Sequence, residues 1–88
     1  MFDLVIRNAF LVDGTGAPAR TADIAIQDGV IRAVGSISAS GKTEIDAKGD
    51  LVTPGWVDIH THYDGQVTWD PYLTPSGWNG VTTVVMGN

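Results

Sequence analysis

Cysteine is absent from this chain, lysine and arginine are absent after residue 48, and no apolar run is long enough to span a membrane. Without cysteine there is no disulfide framework and no covalent staple for a small core. Without roughly 18–20 consecutive apolar residues there is no membrane-spanning helix. Asp3 and Arg7 interrupt the first apolar stretch, so the N-terminus lacks the ordered regions of a secretory signal. The expected setting is the cytoplasm, with no membrane partner. Five basic residues stand against ten acidic ones, a formal net charge of −5. Phosphate recognition relies on clustered Lys and Arg, so nucleic acid is not an expected partner.

The placement of charge is more informative than its sum. All the basic side chains lie in residues 1–48, whereas the rest of the chain holds Asp50, Asp58, Asp64 and Asp70 without a counter-charge. Solvated loop carboxylates account for such residues in general; a bound cation is the alternative. The chain's 88 residues suffice for one small domain or part of one. At this length folding buries only about 60–65% of the unfolded surface, so independent stability is expected to be marginal.

Residues 2–12 are rich in β-branched and aromatic side chains and end at the turn signal Asp13-Gly14-Thr15-Gly16, which predicts a strand. Ala22–Gln27 and Val30–Val34 flank Asp28-Gly29, the chemistry of a two-residue hairpin turn. A small, polar loop at residues 35–41 precedes a short strand around Thr43–Asp46, and Leu51–Thr53 reads as extended. Residues 1–53 are therefore predicted to be mainly β, and Pro54-Gly55 changes the chain's direction. Residues 56–62 and 81–86 read as buried strands belonging to a different layer. The 18 residues between them suit a parallel crossover. Pro71, Pro75, Gly65, Gly77 and Gly80 leave room for at most a turn or two of helix. Trp56, Tyr63, Trp69, Tyr72 and Trp78 cluster in this region, either covering a core under a long loop or lining a cleft.

The chain's two histidines are His60 and His62. Side chains two apart on a strand share a face, so both imidazoles can converge at the strand's C-terminal end. That geometry suits zinc or a similar divalent ion, and a structural pair held by main-chain carbonyls is the competing reading. By the same period-two count Asp58 joins the histidine face, while Val57, Ile59 and Thr61 form the opposite one. Asp64 follows the strand and is placed either to orient an imidazole or to cap a turn. Two ligands are half a zinc shell, which takes four protein ligands when structural and three plus water when catalytic.

The run Pro54-Gly-Trp-Val-Asp-Ile-His-Thr-His62 resembles the signature that opens the catalytic barrel of the amidohydrolase superfamily. The preceding β-rich segment, with its Asp13-Gly turn and the stretch Asp28–Gly35, is similar to the small β-sandwich before that barrel. Tyr63–Asp70 and Gly80–Asn88 look like the N-acyl-D-amino-acid deacylase (D-aminoacylase) branch. The resemblance covers essentially the whole chain. It implies a mainly β fold class: a β-sandwich segment over 1–53, then over 54–88 the first strands of an incomplete (β/α)8 barrel. It also implies a parent enzyme that uses a divalent metal, zinc foremost, to hydrolyse a linear amide. His60 and His62 become the expected metal ligands, with Asp58 and Asp64 the candidates for supporting them.

In that branch a cysteine ligand follows the Gly-Asn pair, and the later histidines and the catalytic aspartate come from further along the barrel. The chain alone is therefore expected to be inactive, with no catalytic residue of its own, and to self-associate through uncovered barrel strands. Two rivals remain: a cyclic-amide hydrolase of the hydantoinase or dihydroorotase type, and a noncatalytic β-rich binding module.

Overall fold

The computed structural model describes residues 1–87, which form two compact units, Met1–Pro54 and a second beginning at Gly55. The first unit is a mixed five-stranded sheet: β1 (Phe2–Leu11), β2 (Arg20–Gln27), β3 (Val30–Gly35), β4 (Gly41–Asp46) and β5 (Leu51–Val52). Its order is β3-β2-β1-β4, with β5 alongside the end of β1. The long apolar β1 is central: antiparallel to β2, parallel to β4 from Phe2 to Arg7, and parallel to β5 at Phe10 and Leu11. The predicted hairpin forms between β2 and β3, with Asp28 at φ 53° and Gly29 at φ 72°. Two consecutive positive φ values define the tight turn whose twist matches that of the strands it joins.

One inserted residue in β1 decides which side chains reach the core. Ile6 pairs with Ile24 but Ala9 pairs with Ala22, so Arg7 and Asn8 together oppose Asp23. Asn8 takes φ 56°, a conformation asparagine tolerates better than most residues. Its main-chain N–H donates to Asp23 Oδ1 at 3.0 Å and its Nδ2 to Asp46 Oδ1 at 3.0 Å. Because one extra residue reverses strand parity, Ile6 faces the core before the bulge, and Ala9 and Leu11 face it afterwards. Ala9 and Leu11 form the core cluster with Ala22, Ile24 and Ala47, and the partly buried Ile6, Ile26 and Val52 pack against it.

Arg7 ties the 36–40 loop to this sheet. Its guanidinium donates to Glu44 at 2.8 Å, to Asp23 at 3.3 Å, to the Ala39 carbonyl at 2.8 Å and to the Ile37 carbonyl. The hydrogen bond from Arg7 holds the Glu44 carboxyl below its ordinary range, helped by the Gly41 N–H. Asp23 is lowered chiefly by the Asn8 N–H.

The second unit contains β6 (Trp56–Asp58), a single 3-10 turn at Gln66–Thr68, α1 (Thr74–Trp78) and β7 (Val81–Val84). β6 and β7 pair in parallel as their own two-stranded sheet. The connection is thus the crossover expected from the spacing, with the small helix content that its prolines and glycines allow. Both strands are shorter than the sequence suggests: β6 ends at Asp58 rather than at residue 62, and β7 at Val84 rather than at residue 86. A bulge after Asp58 interrupts the ladder there.

Candidate metal centre

The site begins at Gly55, where the chain passes very close to Thr82. A Cβ on Gly55 would lie 2.1 Å from Thr82 Cγ2 and 2.7 Å from its Cβ. That approach lets the Trp56 N–H reach the Gly80 carbonyl at 2.9 Å and start the parallel ladder. The ladder then carries two compensating irregularities. Trp56 pairs with Val81 but Val57 with Thr83, so Thr82 is an extra residue in β7. Beyond Asp58, whose carbonyl accepts the Val85 N–H at 2.9 Å, an unbroken parallel ladder would have His60 donate to the Val85 carbonyl. Thr61 donates instead, at 3.2 Å, while the His60 N–H turns to Asp58 Oδ1 at 3.1 Å.

This bulge fixes the environment of both histidines. Thr61 is only 7% exposed, and its hydroxyl donates to the Val85 carbonyl at 2.8 Å. His60 and His62, on either side of it, are exposed. Alternation therefore holds across residues 60–62 but does not carry back through the bulge to Asp58. The bond that Asp58 makes to His60 is to its main-chain N–H. Ile59 is 74% exposed, so the apolar face expected from Val57, Ile59 and Thr61 is covered only at the threonine.

The imidazoles stand with ring centres 5.0 Å apart and planes at 76°. Two imidazoles bound to one tetrahedral ion, with metal–nitrogen distances of about 2.0–2.1 Å, place their ring centres about 5 Å apart. The pair therefore fits a shared divalent ion in donor type and in separation. Among the described residues no group of three or more His, Cys, Asp or Glu side chains is gathered to hold a metal, so the pair is half of a shell. Asp64 Oδ1 accepts the Gly87 N–H at 2.9 Å, joining the turn after the histidines to the chain just past β7. Asn88, the end of the Gly-Asn pair, lies outside the described residues.

Of the two other carboxylates after residue 48, Asp70 has structural work. Asp70 accepts the Leu73 N–H at 3.1 Å, the Tyr72 N–H at 3.3 Å and Gln66 Nε2 at 2.9 Å, shaping the entry to α1. Asp50 lies exposed in the turn before β5. Tyr63 is half-buried, its hydroxyl 2.7 Å from Ser76 Oγ. Trp56, Trp69, Tyr72 and Trp78 are exposed and do not cover a core in this chain. Residue types pointed to the histidines and to a turn at Pro54-Gly55, but not to the close approach of Gly55 to Thr82, for which a glycine at the strand's start is the local signal.

The family model described as Amidohydrolase family matches residues 43–88. The N-acyl-D-aspartate deacylase of Alcaligenes xylosoxydans xylosoxydans is 45% identical over 87 residues, covering 98% of this chain and 18% of that protein. Among solved structures, a D-aminoacylase matches with a TM-score of 0.93 at 42% identity, over 100% of this chain and 19% of its own. The N-acyl-D-glutamate deacylase of Bordetella bronchiseptica, complexed with zinc and a phosphonate inhibitor, matches with a TM-score of 0.89 at 41% identity, over 99% of this chain and 19% of its own. The chain thus spans under one-fifth of the length of each of these relatives. Since the family match takes in β6, the histidine pair and β7, and the structural matches extend through the first unit, the chain belongs to the amidohydrolase family.

Proposed function

We propose that this chain is the N-terminal part of a metal-dependent amidohydrolase that hydrolyses the linear amide of N-acyl-D-amino acids. Residues 1–53 are its β-sandwich segment and 54–88 the start of its (β/α)8 barrel. The observation that carries this reading is the exposed imidazole pair, His60 and His62, 5.0 Å apart beyond the C-terminal end of a strand in a parallel pair. Barrel enzymes of this architecture assemble their sites at that end of their strands. The zinc of the matched N-acyl-D-glutamate deacylase supports zinc as the metal here.

A bound divalent ion supplies a water acidified toward neutral pH and polarises an amide carbonyl. This chain's contribution is to hold that ion. His60 and His62 donate imidazole nitrogens, Thr61 anchors the segment between them to Val85, and Asp64 fixes the neighbouring turn against Gly87. In this reading the general acid or base and the remaining metal ligands come from elsewhere in the longer protein.

The linear-amide reading is favoured over the cyclic-amide one because the three proteins compared above are named as deacylases or an aminoacylase. The partner is then a small amide. The exposed Trp56, Val57 and Ile59 support self-association of the isolated chain, and a cytoplasmic setting completes the proposal. The test is turnover by the full-length protein, stripped of metal and reloaded with zinc. N-acetyl-D-amino acids, their L-enantiomers and a hydantoin are offered side by side. Zinc-dependent release of the free D-amino acid is the expected result. Preference for the hydantoin supports the cyclic-amide rival, and no turnover of any of them supports the binding module.

A further inference from the structure

We propose that Asp58 is a positioning residue that acts through the backbone: its carboxylate holds the bulge that presents His60 and His62 at metal-sharing separation. The inference rests on the metal-holding role given above for the two histidines, and it assigns Asp58 no contact with the ion. β7 carries the extra residue Thr82 between the pairs Trp56–Val81 and Val57–Thr83. The first strand carries the compensating extra residue between Asp58 and Thr61, which restores the original register at Val85. Without that second insertion the ladder would stay shifted by one, with the His60 N–H on the Val85 carbonyl in place of Thr61.

A one-residue slip exchanges the two faces of a strand. Thr61 would leave its 7%-exposed position, and the imidazoles would turn toward the side that now buries it. The bulge frees the His60 N–H from the ladder, and a freed main-chain donor needs an acceptor. Asp58 Oδ1 supplies it at 3.1 Å, while the carbonyl of the same residue accepts from Val85 at 2.9 Å. One residue therefore closes the regular ladder and stabilises the departure from it. The partners Asp58 engages are main-chain amides, so the role requires an acceptor oxygen at this position and not a negative charge.

That distinction sets the experiment. Zinc binding to the metal-stripped full-length protein is measured by calorimetry, and the H60A/H62A variant identifies the binding event that belongs to the pair. Supporting partners of metal ligands typically contribute 10–100-fold in affinity. We expect D58A to weaken that event at least about 10-fold, and D58N, which keeps the acceptor oxygen, to stay within about threefold of the parent. Should D58A fail to fold, D58S, with a shorter acceptor, takes its place with an expected intermediate loss. Equal weakening by D58N and D58A would overturn the backbone role in favour of charge. A lowered melting temperature with zinc affinity unchanged in D58A, or in D58S in its stead, would overturn positioning altogether. If H60A/H62A binds zinc like the parent, the metal-holding reading itself fails, whatever Asp58 does.

Discussion

Replacing Gly55 with alanine should unfold the second unit before the first. Gly55 does not adopt a positive φ, so its need for glycine is spatial. The added Cβ would sit 2.1 Å from Thr82 Cγ2, 2.2 Å from Oγ1 and 2.7 Å from Cβ. Thr82 is exposed, but its Cβ is branched, so rotation about χ1 can carry only one of the two γ atoms out of the positions they fill. Its Cβ is fixed to the backbone. Restoring an ordinary contact of 3.4 Å to Cβ alone requires the strands to part by at least about 0.7 Å where the Trp56–Gly80 hydrogen bond starts the ladder. Overpacking of this kind costs about 1–3 kcal/mol. A two-stranded pair is marginal by itself, so a loss of that size should be visible as local unfolding.

The two units can be followed separately in the 88-residue chain, because all three tryptophans lie at or beyond Trp56. Tryptophan fluorescence in a urea titration reports the second unit, and far-UV circular dichroism is dominated by the five-stranded sheet of the first. G55A should shift the fluorescence transition to lower urea and leave the dichroism transition in place. T82G removes all three clashing atoms, so G55A made in that background should cost under about 0.5 kcal/mol, a coupling of about 0.5–3 kcal/mol between the two positions. G55A as stable as the parent, or equally destabilising with and without the Thr82 side chain, would refute the close approach on which the β6–β7 register depends.

In the full-length protein, His60→Ala and His62→Ala should each lower metal content and turnover far more than melting temperature; lost stability with metal and turnover unchanged would make the pair structural. The 88-residue chain alone should bind zinc only weakly and show no metal-dependent hydrolysis of an N-acetyl-D-amino acid, and submicromolar affinity by calorimetry would mean it contains a complete site. Acid should destabilise the first unit. Hydrogen bonds lower Asp13 through Thr15, Asp23 through Asn8 and Glu44 through Arg7, each below its unfolded value. Their contribution is therefore present above the ordinary carboxylate range of about 4 and is lost as pH falls through the depressed folded values. Urea midpoints from dichroism should drop between pH 5 and pH 2, and Arg7→Met should flatten that dependence; an unchanged slope would show that Arg7 does not depress Glu44.

The parts of this molecule legible in the sequence are those set by neighbours in the chain. The β2–β3 hairpin follows from Asp28-Gly29 because positive φ at two adjacent residues is a local requirement, and the histidine pair is visible because its chemistry is carried by residue type. The hidden parts depend on partners distant in sequence. Asn8 marks the β1 bulge only once Asp23 and Asp46 are seen to hold it, 15 and 38 residues away. The bulge at Asp58 likewise depends on Thr82, 24 residues on, which creates the register error that the bulge corrects. Period-two counting assumes an unbroken ladder, so it placed Asp58 on the histidine face and extended β6 through residue 62. The two bulges share one physical device. Each inserts a residue into a strand, and each is held by an Asp side chain accepting a main-chain N–H released from the ladder, Asp23 for Asn8 and Asp58 for His60. In the first unit this device returns Ala9 and Leu11 to the core. In the second it leaves Thr61 buried, with an exposed imidazole on either side of it.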